Sequence, residues 1–111
     1  MKFFIDTEFH DTGTELDLIS IGIYCENGQT YYAEALEFNF GRASQWLHEN
    51  VIPHLDGNRI PRDQMRREII EFVNDITDGD IPEFWCYYGA WDWLLFAPFA
   101  PFLFGPVLLG L

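Results

Sequence analysis

Asp6, Thr7 and Glu8 follow directly on an apolar run, Phe3-Phe4-Ile5, and set two carboxylates two residues apart. In a strand, residues i and i+2 point to the same face. A strand through this stretch therefore presents Asp6 and Glu8 side by side. Two neighbouring carboxylates repel each other unless a cation lies between them. Hard oxygen donors of this kind suit Mg²⁺ or Mn²⁺. A solvated strand end shows the same pattern, so the spacing alone leaves both a metal site and an ordinary strand end open. A third acid, Asp92, sits in the aromatic stretch Tyr87-Tyr88-Gly89-Ala90-Trp91-Asp92. An ionised carboxylate there is costly unless something pairs with it. The plain alternative is an Asp that caps the helix beginning at that point. Trp91 and Trp93 read as core and pocket wall.

The positioning elements follow from apolar periodicity. Residues 3–5 read as a strand ending at Asp6, and residues 17–25 (DLISIGIYC) as a β-branched second strand. Asn27-Gly28 then favours a tight type I′ turn into a third strand over 29–36. Trp46, Leu47 and Val51 suggest a short helix over 43–51, stopped by Pro53. Met65, Ile69, Phe72, Val73 and Ile76 recur at helical spacing and predict a helix over 61–78, with Pro61 near its start and Gly79 at its end. Residues 83–88 read as a fourth strand, and Gly89 to Asp92 as the way into another helix. The tail from 94 to 111 carries no charge and three prolines. Those prolines break any membrane-spanning helix, so the expectation is no membrane segment, and a tail whose first turn is core helix.

The bulk numbers limit the function classes. A chain of 111 residues suffices for one small domain. A formal net charge of −12 excludes a protein that grips nucleic acid with its whole surface, so any such contact is local. The same charge either recruits divalent cations or simply keeps the domain soluble. Arg59, Arg62, Arg66 and Arg67 form the local basic group. Arg62 and Arg66 share a helix face, where they either guide a phosphate backbone or pair with acids such as Glu68 and Glu71. Cys25 and Cys86 lack metal-ligand spacing and read as buried thiols of a reducing cytoplasm. No signal-peptide pattern opens the chain.

Taken together, the D-x-E strand, the hairpin, the amphipathic helix and the strand entering Tyr88-Gly89-Ala90-Trp91-Asp92 resemble the DEDD-type (DnaQ-like) 3′-5′ exonuclease family. The likeness is greatest to members similar to polyadenylate-specific exoribonuclease AS. Asp6 to Phe9 (DTEF), Leu18 to Gly22 (LISIG) and Tyr88 to Asp92 carry it, over roughly residues 1–96. The resemblance implies an α/β, RNase H-like mixed sheet, with an antiparallel opening meander flanked by helices, as one domain over 1–111. It implies a two-metal Mg²⁺ or Mn²⁺ site held by Asp6, Glu8 and Asp92. Thr7 and Phe9 would lie against the substrate. Phe9 stacks on the terminal base in that reading and packs in the core in the bland one. The implied reaction is hydrolysis of single-stranded RNA to nucleoside 5′-monophosphates by a cytoplasmic enzyme that pairs as a homodimer. The family's third motif, a His and an Asp about five residues later, has no counterpart, because no His or acid follows Asp92. The expectation is therefore a domain incomplete at its C-terminus, atypical over 94–111, and weakly active or inactive. The alternatives are a catalytically inactive nucleic-acid or nucleotide binder of the same fold, and an assembly domain that pairs through its apolar tail.

Overall fold

A computed structural model describes residues 1–86 and 107–109 of the chain, the last three as backbone. Among the described residues there are six strands, β1 (Lys2–Asp11), β2 (Leu16–Cys25), β3 (Thr30–Ala35), β4 (Arg59–Ile60), β5 (Glu83–Cys86) and β6 (Val107–Leu109). They form one mixed sheet in the order β4-β3-β2-β1-β5-β6. β1, β2 and β3 make the expected antiparallel meander, and β5 lies parallel to β1 on its other side. Helices α1 (Gln45–Asn50) and α2 (Arg62–Thr77) flank the sheet, consistent with an RNase H-like α/β fold.

The alternation along β1 sorts its side chains by face. Phe3, Ile5 and Thr7 are buried, whereas Phe4 and Glu8 are exposed and Asp6 is half-buried. Phe3 and Ile5 pack with Ile21 and Ile23 of β2 under Met65, Ile69 and Val73 of α2, all seven no more than 1 % exposed. Phe3 meets the Phe72 ring edge-on at 6.1 Å. At the start of α2 the Glu37 carboxylate accepts the Arg62 N–H, at 3.0 and 3.1 Å. The helix ends at Thr77, one residue earlier than expected, because Asp78 already takes left-handed backbone, φ 45°.

β1 is longer than the apolar run that announced it. Asp6 and Glu8 lie inside the strand rather than beyond its end, because the ladder to β2 continues to Asp11. That ladder carries one irregularity: Glu8 faces Ser20 but Phe9 faces Leu18, which leaves Ile19 as the extra residue on β2. Such a bulge reverses the facing of side chains beyond it. Leu18 belongs to the core under α2, whereas Ile19 joins a second cluster with Phe38, Leu47 and Val51. Through that cluster α1 docks on the opposite face of the sheet. Ser44 caps α1 by accepting the Leu47 N–H at 3.2 Å. Pro53 falls within a 3-10 turn, Ile52–His54, that carries the chain on from α1.

Two further expectations change. The turn after β2 is not type I′. Gly28 takes positive φ (95°) but Asn27 does not. The Gly28 N–H donates to the Cys25 carbonyl at 2.9 Å. This is the three-residue loop in which only the last position needs left-handed backbone. The arginines, in turn, are held by partners other than the acids expected for them. Arg59 donates to the carbonyls of Ala35, Leu36 and Phe38 and lies over the Phe40 ring at 4.3 Å. Arg62 pairs with Asp17 at 3.0 Å and Arg66 with Asp63 at 3.7 Å. Glu68, expected as a partner for these arginines, instead accepts from the Tyr31 hydroxyl and from Gln64. No helix of the described residues is long and apolar enough to cross a membrane.

Ile69→Ala is expected to cost about 2–5 kcal/mol by opening a cavity under α2. Ile81, 69 % exposed, should tolerate the same change within about 0.5 kcal/mol. Urea denaturation of the two variants checks the contrast.

Candidate active site

On the face away from α2, β1, β2 and β3 form the floor of a cleft of about 330 Å³. Asp6 and Glu8 stand on this floor, one from each of two neighbouring rungs of β1. Across the ladder Asp6 faces Gly22 and Glu8 faces Ser20, which also line the cleft. Tyr24 and Tyr32 complete the floor, and Asn50, Val51, His54 and Leu55 make the wall beyond it. The bulge at Ile19 seats α1, and α1 brings this wall to the carboxylates.

The cleft is held by one buried acid. Glu34 is 1 % exposed. Its carboxylate accepts the Tyr32 hydroxyl at 2.6 Å, the Asp56 N–H at 2.7 Å and the Gly57 N–H at 3.0 Å. One side chain therefore fixes both a floor residue and the loop that follows the wall. Three donors of this kind are what make a buried carboxylate tolerable. Burial, and then the bond to Glu34, holds the Tyr32 phenol well above its ordinary pKa. Tyr32 therefore remains a protonated donor throughout the neutral range.

The expected site residues separate into three groups. Asp6 and Glu8 come together in the cleft. Thr7 does not: it lies on the other face of β1 and is 3 % exposed. Phe9 is half-buried and packs against the core under α2. Asp92, Trp91 and Trp93 fall outside the described residues. Among the described residues no group of three or more His, Cys, Asp or Glu side chains is placed to hold a metal ion. Asp6 and Glu8 are thus two donors of a set that needs more. Sequence reasoning passed over His54, Tyr24, Tyr32 and Glu34. The one available signal was Gly22, the last residue of the LISIG stretch, an interruption in an otherwise β-branched strand.

No family model matches the chain. Over 96 residues, 83 % of its length, the chain is 38 % identical to a protein of Mycobacterium tuberculosis strain H37Rv, and it matches a protein of strain CDC 1551 to the same extent. Both relatives are named 3′-5′ exoribonucleases. The chain spans 56 % of the length of each.

Chemically, the cleft joins adjacent carboxylates, a hydroxyl and an imidazole with two aromatic rings in a space large enough for a nucleotide-sized group. The carboxylates are hard donors and suit a divalent cation.

Glu34→Ala is expected to leave the Asp56 and Gly57 amides without their acceptor and to cost about 2–4 kcal/mol. Hydrogen exchange at those two amides should accelerate well beyond that at α2. Unchanged protection there would show that the loop does not depend on Glu34.

Proposed function

We propose that this chain carries the substrate-binding face and the first two acids of a DEDD-type 3′-5′ exoribonuclease that acts on single-stranded RNA. The observation that carries the reading is the placement of Asp6 and Glu8 side by side in one cleft, in a chain similar to two proteins named for this activity. Asp6 and Glu8 would hold the divalent cations, Mg²⁺ or Mn²⁺, with Asp92 as the third acid of the set. Such cations, when bound, lower the pKa of an attacking water and neutralise charge on the phosphate oxygens. The chain's own part is to bring an RNA 3′ end against these acids and to keep its last phosphodiester in place. The wall of α1 and the 3-10 turn limits how much strand enters. The product is a nucleoside 5′-monophosphate.

A second reading has a specific observation behind it. After Asp92 the chain offers neither the His nor the acid of the third motif. Loss of a general base alone slows such reactions about a hundred- to ten-thousand-fold. Residues 1–111 assayed alone are therefore expected to turn over slowly, or at the limit to bind RNA with the same cleft.

Purified chain incubated with 3′-labelled oligoriboadenylate and Mn²⁺ should release labelled nucleoside monophosphate slowly. Asp6→Asn and Glu8→Gln should each lower that release about a hundredfold or more. Asp80→Asn, on an exposed turn outside the cleft, should leave it unchanged. Fast turnover lost in Asp6→Asn would show that the missing His and Asp are supplied in another way. No release with RNA binding retained would favour the binder.

A further inference from the structure

The cleft has a feature that the acids do not account for. Tyr24, on β2 beside β1, and Tyr32, on β3 one strand further, are 50 % and 48 % exposed. Both line the cleft that holds Asp6 and Glu8. Each ring is set in place by a neighbour. Tyr32 is tied by its hydroxyl to Glu34 at 2.6 Å. Tyr24 folds back over Gly22, the residue opposite Asp6. A Cβ at Gly22 would meet the Tyr24 Cε2 and Oη at 3.2 Å. Glycine thus leaves room for the Tyr24 ring over the strand, where a Cβ would make it give by a few tenths of an ångström.

The charges around the cleft narrow what this surface can hold. The chain has six Lys and Arg residues, and none of them lines the cleft. Arg42, Arg59, Arg62 and Arg66 are engaged with Glu15, backbone carbonyls, Asp17 and Asp63. A nucleic-acid strand that enters here meets no row of Lys or Arg side chains along its phosphates. What the floor does offer is two flat, half-exposed rings beside two acids. Base–aromatic stacking is the uncharged interaction that holds single strands, and it tolerates any sequence.

We propose that Tyr24 and Tyr32 form a base-stacking subsite for the terminal nucleotides of single-stranded RNA, and that this stacking rather than phosphate pairing supplies most of the chain's affinity for RNA. The proposal rests on the exoribonuclease reading of the cleft. It adds the residues that hold the substrate and the kind of force they use. Gly22 is a positioning residue for the Tyr24 ring, and Glu34 is one for Tyr32.

Binding of hexa-riboadenylate is measured by fluorescence anisotropy in Ca²⁺, across NaCl concentrations, for the wild-type chain, Tyr24→Leu, Tyr32→Leu and Tyr24→Phe. Each Leu variant should bind roughly five- to a hundred-fold more weakly, while Tyr24→Phe, which keeps the ring, should stay within about twofold. The wild-type affinity should change by less than about twofold between low and moderate salt, because few counterions are released. Tyr24 is half-exposed, so Tyr24→Leu should melt like the wild type, and that control separates lost stacking from lost folding. Leu variants that bind within twofold of wild type, or a wild-type affinity that falls tenfold or more with salt, would overturn the subsite. If those results come with RNA hydrolysis intact, only the subsite fails. A wild-type chain that neither binds nor hydrolyses the oligonucleotide would overturn both readings.

Discussion

β1 is paired on both sides, to β2 and to β5, and that double pairing fixes which of its side chains face the core. The side-chain period of a strand is two, so a slip of one residue exchanges the faces. Here a slip would bury Asp6 and Glu8 under α2 and send Phe3 and Ile5 into water. Fully burying an apolar side chain of this size is worth about 1.5–3 kcal/mol, and an unpaired buried carboxylate costs more still. The core under α2 therefore sets the register, and the register sets the carboxylates on the opposite face.

The second face owes its shape to the extra residue in β2. With Ile19 turned to the α1 side, one sheet carries an apolar core on one face and, on the other, a small second cluster beside a polar cleft. Glu34 then ties the floor to the wall. A buried carboxylate with one phenol and two amides as donors is costly to disturb, so the cleft keeps its form without a large apolar interior of its own. In the proposed reading, this division is how a strongly acidic chain would meet a polyanion. The charge is spread over the surface and much of the basic complement is engaged elsewhere. In that reading the cleft would meet its ligand through aromatic rings and through acids that suit divalent cations.

Much of this framework can be read from the residues alone. The β-branched run of β2, the meander and the stripe of α2 follow from period and composition. The shared face of Asp6 and Glu8 follows from their spacing. The true length of β1 was hidden, because Thr7 to Asp11 are polar apart from Phe9 and join the strand only through the pairing of β2. The two residues of β4 are too few to leave a pattern. Tyr24 and Tyr32 meet across neighbouring strands, and His54 reaches their cleft only through the bulge that seats α1 and the long-range bonds that tie the following loop to Glu34. Local periodicity has no access to either. The arginines went the same way: their spacing allowed a phosphate track, but Asp17 and the carbonyls after β3 claim Arg62 and Arg59. Asp92, which the sequence joins to the same site, lies outside the described residues.

The central claim is that Asp6 and Glu8 make this cleft a divalent-cation site. Paramagnetic broadening of backbone amide signals during a Mn²⁺ titration tests it most directly, because it reports where the ion sits. The account predicts that Asp6, Glu8, Ser20 and Gly22 broaden first in the wild-type chain, and that Asp6→Asn removes the effect at the same Mn²⁺ concentration. Broadening centred on the exposed acids Asp75, Asp78 and Asp80 at the end of α2, and unchanged by Asp6→Asn, would contradict it.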